Sequence, residues 1–257
     1  MAQLTTRFDN RILSSLPLDE LGLIEPHLRN FELVQGDRLQ RSGDPAEYVY
    51  FPHAGVISLA VALADGNAIK VAMIGREGAL IDGGTLTIKH AMVDATIPVP
   101  GKASRMDISQ FGQAMSQCPT LRHLVARHDS MMAAQAQQSA ACNARHSAEA
   151  RICRCVLEIS DRIDAETVPL TQSVLADMLG VQRTTITTAA RTLQAAGAFE
   201  CRRGTIRIHS RALLEQAVCE CYGRLRHLRT QLFPDASFTG TASRPSLQRQ
   251  QPLPASQ

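Results

Sequence analysis

Hydrophobic and polar positions change rhythm several times along the chain. Over residues 10–28, "NRILSSLPLDELGLIEPHL" predicts short helices, with Asn10 as an N-cap and Pro17 as a break. From Phe31 to about Met106 the apolar residues come in short runs set apart by Gly, Pro, Asp or Asn. These runs are "FELVQGDRL", "EYVYFPHAGVISLAVAL", "AIKVAMIGREG" and "MVDATIPVPGKASRM". They predict strands of about 4–8 residues, and "ADGN" at 64–67 carries the Asp-Gly signal of a tight hairpin. So many short strands at close spacing predict a β-roll or jelly roll. From about Pro119 to Ala144 the rhythm is helical. Leu121, Leu124, Val125, His128, Met131 and Met132 recur at i, i+3, i+4 and i+7 before Gln135 interrupts them. That stripe suits packing on the chain's own domain or against a second copy. His128, lying on it, suits a core or interface position better than a ligand.

A junction near Asn143 to Ser147 precedes a second helix carrying Cys153, Val156, Leu157 and Ile163 on one side. The next segment, "TQSVLADMLGVQRTTITTAARTLQAAG" (171–197), places a short amphipathic helix, a glycine and a threonine-rich helix in that order. Clustered β-branched residues suit a purely packing helix poorly. A helix-turn-helix accounts for them. Ala176 supplies the small residue where two helices approach, and Gly180 the turn. Leu175, Leu179, Val181, Ile186 and Ala189 fill the buried positions. Gln182, Arg183, Thr184, Thr187, Thr188 and Arg191 are left facing outward. Threonine offers a hydroxyl to bases or phosphates and a methyl to thymine; arginine reads guanine or holds the backbone. "AFECRRGTIRIHS" then reads as a small hairpin with Arg203-Gly204 at its turn, placed like a wing. The candidate DNA contacts are therefore Thr171, Gln172, Gln182, Arg183, Thr184, Thr187, Thr188, Arg191 and Arg203. A single last helix is expected over "RALLEQAVCECYGRLRHLRTQLF", capped by Ser210. The tail beyond it is rich in Pro, Ser and Gln and is expected to be disordered.

Composition narrows the classes further. The 257 residues hold no apolar run near the roughly 20 needed to span a bilayer, and no signal core, so a cytoplasmic protein is expected. Net charge is only +3, but Val181 to Ile208 carries five arginines against the single acid Glu200. The seven cysteines are an odd count and suggest reduced thiols rather than a disulfide framework. Cys153/Cys155 and Cys219/Cys221 have C-x-C spacing, and residues two apart on a helix point in different directions. Packing roles and no metal site are therefore expected, unless Cys153, Cys155 and Cys201 meet in space. His27, His53 and His90 are isolated, with no phosphate loop or nucleophile elbow, so an enzyme is not expected.

The roll segments "EYVYFPHAGVISL" and "MIGREGALIDGG", the long helix and "LTQSVLADMLGVQRTTITTAARTLQAAGAFECRRGTIRI" together resemble the Crp/Fnr family of bacterial transcription regulators. The resemblance spans about residues 10–232. It implies an α+β fold with an N-terminal double-stranded β-helix (jelly-roll) sensor domain over 1–118 and a long dimerisation helix and hinge over 119–146. A C-terminal winged helix-turn-helix over 147–232 and a tail over 233–257 complete it. It also implies a homodimer on two-fold-symmetric double-stranded DNA, no membrane partner, and RNA polymerase as a further partner for an activator. On this reading the apolar stripe of the long helix is the dimer seam. Gly75, Arg76, Glu77, Gly78 and Lys89 are the candidate ligand contacts. The segment "TLTIKHAMVDATIPVPG", where nucleotide-binding members carry an arginine for the cyclic phosphate, has none. No resident cofactor is therefore expected, and cyclic AMP is not supported. With no cysteine before Cys118, the cluster of the oxygen-sensing members is not expected either. Thr184 and Thr188 stand where members reading a TGA-type half-site carry Glu and a second Arg, so a different half-site is expected. The alternative is a cyclic-nucleotide-binding signalling module whose helical domain contacts protein; salt-sensitive DNA binding separates the two.

Overall fold

The computed structural model describes residues 8–64, 66, 68–81 and 90–233. Lys89, the hairpin residues Asp65 and Asn67, and the tail after Phe233 lie outside them. Two short helices, α1 (Arg11–Ser14) and α2 (Leu18–Ile24), and a tight turn (Glu25–His27) open the chain. Asn10 caps α1 as expected. Its Oδ1 accepts from the Ile12 and Leu13 amides, and its Nδ2 donates to the Pro52 and Gly78 carbonyls. Seven strands follow: β1 (Arg29–Leu33), β2 (Arg38–Gln40), β3 (Tyr48–Pro52), β4 (Val56–Ala62), β5 (Ala68–Ile74), β6 (Asp94–Val99) and β7 (Gly101–Asp107). They form two antiparallel sheets, β1-β7-β3 and β2-β6-β4-β5. Leu33 and Tyr50 of one sheet meet Ile57, Leu59 and Ile97 of the other in a shared core. Strand β3 is apolar on both faces because both are covered. Tyr50 points into the roll, while Val49 and Phe51 pack on Ile12, Leu13 and Phe111 outside it.

Helices α3 (Ile108–Gln117) and α4 (Pro119–Arg145) lead away from the roll. The apolar stripe of α4 is used inside the chain, which corrects its assignment to a dimer seam. Leu121, Leu124 and Val125 join the core beneath β3, and Met131 packs with Leu225 and Phe233. Gln135, which breaks the stripe in sequence, sits on the backbone of β5: its Oε1 accepts from the Met73 amide and its Nε2 donates to the Met73 carbonyl. His128 is buried, as expected of a core histidine. Its pKa falls to about 4 because burial outweighs the nearby Glu77 carboxylate. The folded state thus keeps this ring neutral while the unfolded chain titrates near 6.5, so stability is expected to fall as pH drops from 6.5 towards 4. Urea midpoints against pH measure this directly, and the slope in that window should flatten in His128→Gln.

The C-terminal part comprises α5 (Ala148–Ile163), β8 (Thr167–Val168), α6 (Gln172–Leu179), α7 (Arg183–Ala195), β9 (Phe199–Arg202), β10 (Thr205–Ile208), α8 (Arg211–Ala217) and α9 (Glu220–Leu232). Ser147 and Ser210 cap α5 and α8. The expected single last helix is two. Val218 and Cys219 are extended, and the break turns α9 back along α4, where Leu225 is buried against Met131. Tertiary burial here overrides a segment with no local stop signal. Helix α5 carries the expected apolar side, but its polar side is buried too, against the roll and α4. Arg162 pairs with Glu77 at 2.8 Å, Lys70 with Glu158 at 3.8 Å, and Arg154 with Glu158 at 3.9 Å. Val56, Met73 and Val99 of the roll share one core with Leu157, Leu175 and Leu179. Among the described residues, no helix is long and apolar enough to cross a membrane.

Candidate nucleic-acid interface

Helix α6 begins at Thr171, whose hydroxyl accepts from the Val174 amide at 3.1 Å, and ends at Gly180. Gly180 is left-handed (φ +61), and the Val181 amide donates back to the Ala176 carbonyl at 3.2 Å. This closure satisfies the end of the helix and turns the chain through a geometry natural to glycine. Leu175, Ala176, Leu179, Ile186, Ala189, Ala190 and Leu193 all enter one core, so α7 lies locked across α6. The buried residues of α7 keep a helical repeat, and its opposite side is left free. Gln182, Arg183, Thr184, Thr188 and Arg191 are exposed along it, as the sequence pattern predicts. Thr185 and Thr192 are exposed beside them and were missed; the same helical spacing, carried one residue further on each side, finds both.

Three of the predicted contacts have a structural role as well. Thr171 is the cap just described. The Thr187 hydroxyl is half-buried, 3.1 Å from Gln172 Oε1 and 3.0 Å from the Arg183 carbonyl, so its proton serves the contact between α6 and α7. Gln172 thereby holds α7 rather than standing free of it. Gln182 precedes α7 and makes no capping bond through its side chain, consistent with its weak capping character.

The wing is built as expected. Strands β9 and β10 pair Arg202 with Thr205, leaving Arg203 and Gly204 as a two-residue turn with both φ positive (44 and 85). Such turns match the twist of the strands they join. Gln194 Oε1 of α7 accepts from the Cys201 amide at 2.8 Å and ties the hairpin to α7. Alternation along β10 buries Ile206 and Ile208 and turns Arg207 outward, and Arg202 is exposed next to Arg203. Arg202 and Arg207 count among the five arginines of Val181 to Ile208 but were left out of the candidate contacts, although the period-2 pattern of "TIRI" marks Arg207 as outward-facing. The result is a rod about 20 Å long, lined with hydroxyls and guanidinium groups and flanked by an arginine-bearing hairpin. An α-helix fits the width of a major groove, and guanidinium groups on either side of it are suited to phosphates.

The candidate ligand turn is closed in this structure. Gly75 and Gly78 bracket a tight turn after β5, but a Cβ on Gly78 would lie 2.6 Å from the His128 ring, and one on Gly75 would meet Arg162 at 3.1 Å. Glu77 is buried, and its carboxylate is held by Arg162 of α5. Burial alone would raise its pKa; the Arg162 and Arg229 guanidinium groups outweigh burial and hold it below the usual carboxylate value. Gly75, Glu77 and Gly78 thus join the roll to the helices rather than lining an open cradle. Arg76 is half-buried and borders a cleft of about 310 Å³ with His53, Arg162 and Thr167.

Residues 150–217 match the model of the Crp-like helix-turn-helix domain. No curated protein matches the sequence. Solved structures with the same fold include the c-di-GMP-responsive global regulator CLP of Xanthomonas campestris, at TM-score 0.63 and 16% identity, over 76% of this chain and 100% of that one. FixK2 of Bradyrhizobium japonicum aligns at TM-score 0.63 and 19% identity, over 75% and 98%. A CRP-family transcriptional regulator from Thermus thermophilus aligns at TM-score 0.62 and 18% identity, over 75% and 96%.

Proposed function

From a chain that carries a Crp-like helix-turn-helix domain on the Crp/Fnr regulator fold, we propose a dimeric, sequence-specific transcription regulator in which α7 reads the major groove. The carrying observation is the exposed face of α7 joined to the wing: Arg183, Thr184, Thr188 and Arg191 on the helix, Arg203 at the tip. Arg183 and Thr184 serve as base readers; Arg191 and Arg203 hold phosphates and set register.

The dimer uses the outer face of α4, opposite its apolar stripe. Ala126, Ser130, Ala133, Gln137, Ala140 and Ala144 are all exposed and recur at steps of four and three, the spacing of a coiled-coil seam. Five of the six are Ala or Ser, small enough to let two helices approach closely. The sensory part works without the usual cyclic-nucleotide contacts, because Glu77 is engaged by Arg162 and His128 occupies the space beside Gly78.

Selection of a random DNA library by the full chain, at one fixed salt concentration and with no added effector, tests this reading. The expected product is a two-fold-symmetric motif whose half-sites lie one helical turn, about 34–36 Å, apart. Ala133→Glu with Ala140→Glu should abolish recovery of the symmetric motif and shift the protein to monomer in sedimentation. A single unpaired half-site would overturn the dimer, and retention without any motif would overturn sequence-specific reading.

A further inference from the structure

Three of the seven cysteines gather at a place that DNA reading does not use. Cys142 lies in the last turn of α4 and His146 directly follows that helix; Cys219 precedes α9 and Cys221 lies in its first turn. Their ligand atoms all lie within 4.8 Å of one another. Cys142 Sγ is 3.6 Å from Cys219 Sγ, and Cys221 Sγ is 3.5 Å from His146 Nδ1. A tetrahedron built on metal–sulfur bonds of about 2.3 Å and a metal–nitrogen bond of about 2.0 Å has edges of roughly 3.5–3.8 Å. Two opposite edges of that tetrahedron are therefore already at the right length.

The surroundings suit a metal thiolate centre. His146 Nε2 lies 3.2 Å from Glu220 Oε2, the arrangement in which a carboxylate orients a ligating imidazole and leaves its other nitrogen free to bind. Gln138 Nε2 donates to Cys221 Sγ at 3.0 Å, and the N-terminus of the 13-residue helix α9 favours negative charge at Cys219 and Cys221. Three thiolates and a neutral imidazole around a divalent ion carry a net charge of −1. Arg151 and Arg154 lie within electrostatic reach of Cys142 and Cys219 to balance it. Arg154 is 2% exposed and faces Glu158 as well, at 3.9 Å; among the described residues its Nε and Nη1 have no hydrogen-bond partner. Cys142, Cys219 and Cys221 are themselves buried.

We propose that Cys142, His146, Cys219 and Cys221 bind one thiophilic divalent cation, Zn²⁺ by preference, as a closed structural site. Three sulfurs and one nitrogen select zinc over the hard, oxygen-seeking cations, and four protein ligands leave no open position for catalysis. An iron–sulfur cluster interposes several irons and sulfides between its cysteines and needs wider ligand spacing. The ion would join the end of α4 to the start of α9, 77 residues apart along the chain from Cys142 to Cys219, and hold the last helix against the long one. The i, i+2 objection to Cys219 and Cys221 fails here because Cys219 is extended (φ −71, ψ 159), not helical. Cys153 and Cys155 pack in the winged-helix core and Cys118 in the core beneath β3; none of these joins the site.

The test is zinc analysis of the full chain purified under reductant without chelator, followed by Co²⁺ titration of the metal-free protein. The expected result is one zinc per chain, and one Co²⁺ giving the visible bands of a tetrahedral site with thiolate charge transfer in the ultraviolet. Cys219→Ser with Cys221→Ser should lose both signals and Cys118→Ser should keep them, while metal removal should lower the melting temperature by several degrees. Absence of zinc together with absence of the Co²⁺ bands would overturn the proposal, as would full binding by the double variant. A Cys142–Cys219 disulfide in place of metal would also overturn it, in favour of a thiol switch. Should the double variant fail to fold, the wild-type stoichiometry and Co²⁺ spectrum decide alone. None of these readouts depends on DNA binding.

Discussion

Arg183→Ala is expected to weaken specific DNA binding by about 2–6 kcal/mol, or roughly 30-fold to 10⁴-fold, with the fold intact. The side chain is exposed at the first position of α7 and contributes nothing to the core. A bidentate arginine–guanine contact discriminates by about 1–3 kcal/mol, and a symmetric dimer loses it twice. Binding to a scrambled duplex should change much less, since the lost contact is to a base. Arg203→Ala should do the opposite. On the proposed reading it would remove a phosphate contact at the wing tip, weaken both duplexes alike, and lower the salt slope by about 1 per subunit. Fluorescence anisotropy on the selected and scrambled duplexes across a salt series measures both effects. An Arg183→Ala protein with an unchanged ratio between the two duplexes would remove this residue from the readers.

Glu77→Ala is expected to destabilise the protein by about 3–5 kcal/mol. The carboxylate is buried with Arg162 at 2.8 Å, and Arg162 also donates to the Glu158 and Met73 carbonyls from inside the same interface. Removing the acid leaves a nearly buried guanidinium without its nearest carboxylate. Replacing both partners by apolar residues, Glu77→Leu with Arg162→Met, should recover most of the loss, because neither charge then has to be desolvated. Urea unfolding of the three variants tests this; a loss below about 1 kcal/mol in Glu77→Ala would show that the pair carries little of the joint between roll and winged helix.

The helix-turn-helix, the wing and the runs that became β1–β7 were legible because their signals are local. Gly180 and Arg203-Gly204 mark turns that few other residues make, and Ile186 and Ala189 repeat at the helical period. The break between α8 and α9 was not legible, because "AVCEC" contains neither glycine nor proline. The buried polar side of α5 was hidden for a different reason. Arg154, Glu158 and Arg162 at i, i+4 steps look like a solvated face, and Lys70 and Glu77, which pair with Glu158 and Arg162, lie more than 80 residues earlier. The same distance concealed the meeting of Cys142 with Cys219 and Cys221. It also concealed which side of α4 was free, since the large residues that seemed to await a partner already had one in β3 and α9.

Gly180 has one more property. A Cβ at this position would lie 2.9 Å from Ile69 of β5, so the turn that aims α7 rests directly on a strand of the roll. Gly180→Ala is therefore expected to push Ile69 and the turn apart as well as to strain a left-handed backbone, and so to lower the melting temperature. With the Glu77–Arg162 pair and the core shared by Val56, Met73 and Val99, this contact leaves the turn between α6 and α7 seated on the roll at a point where no side chain larger than hydrogen fits.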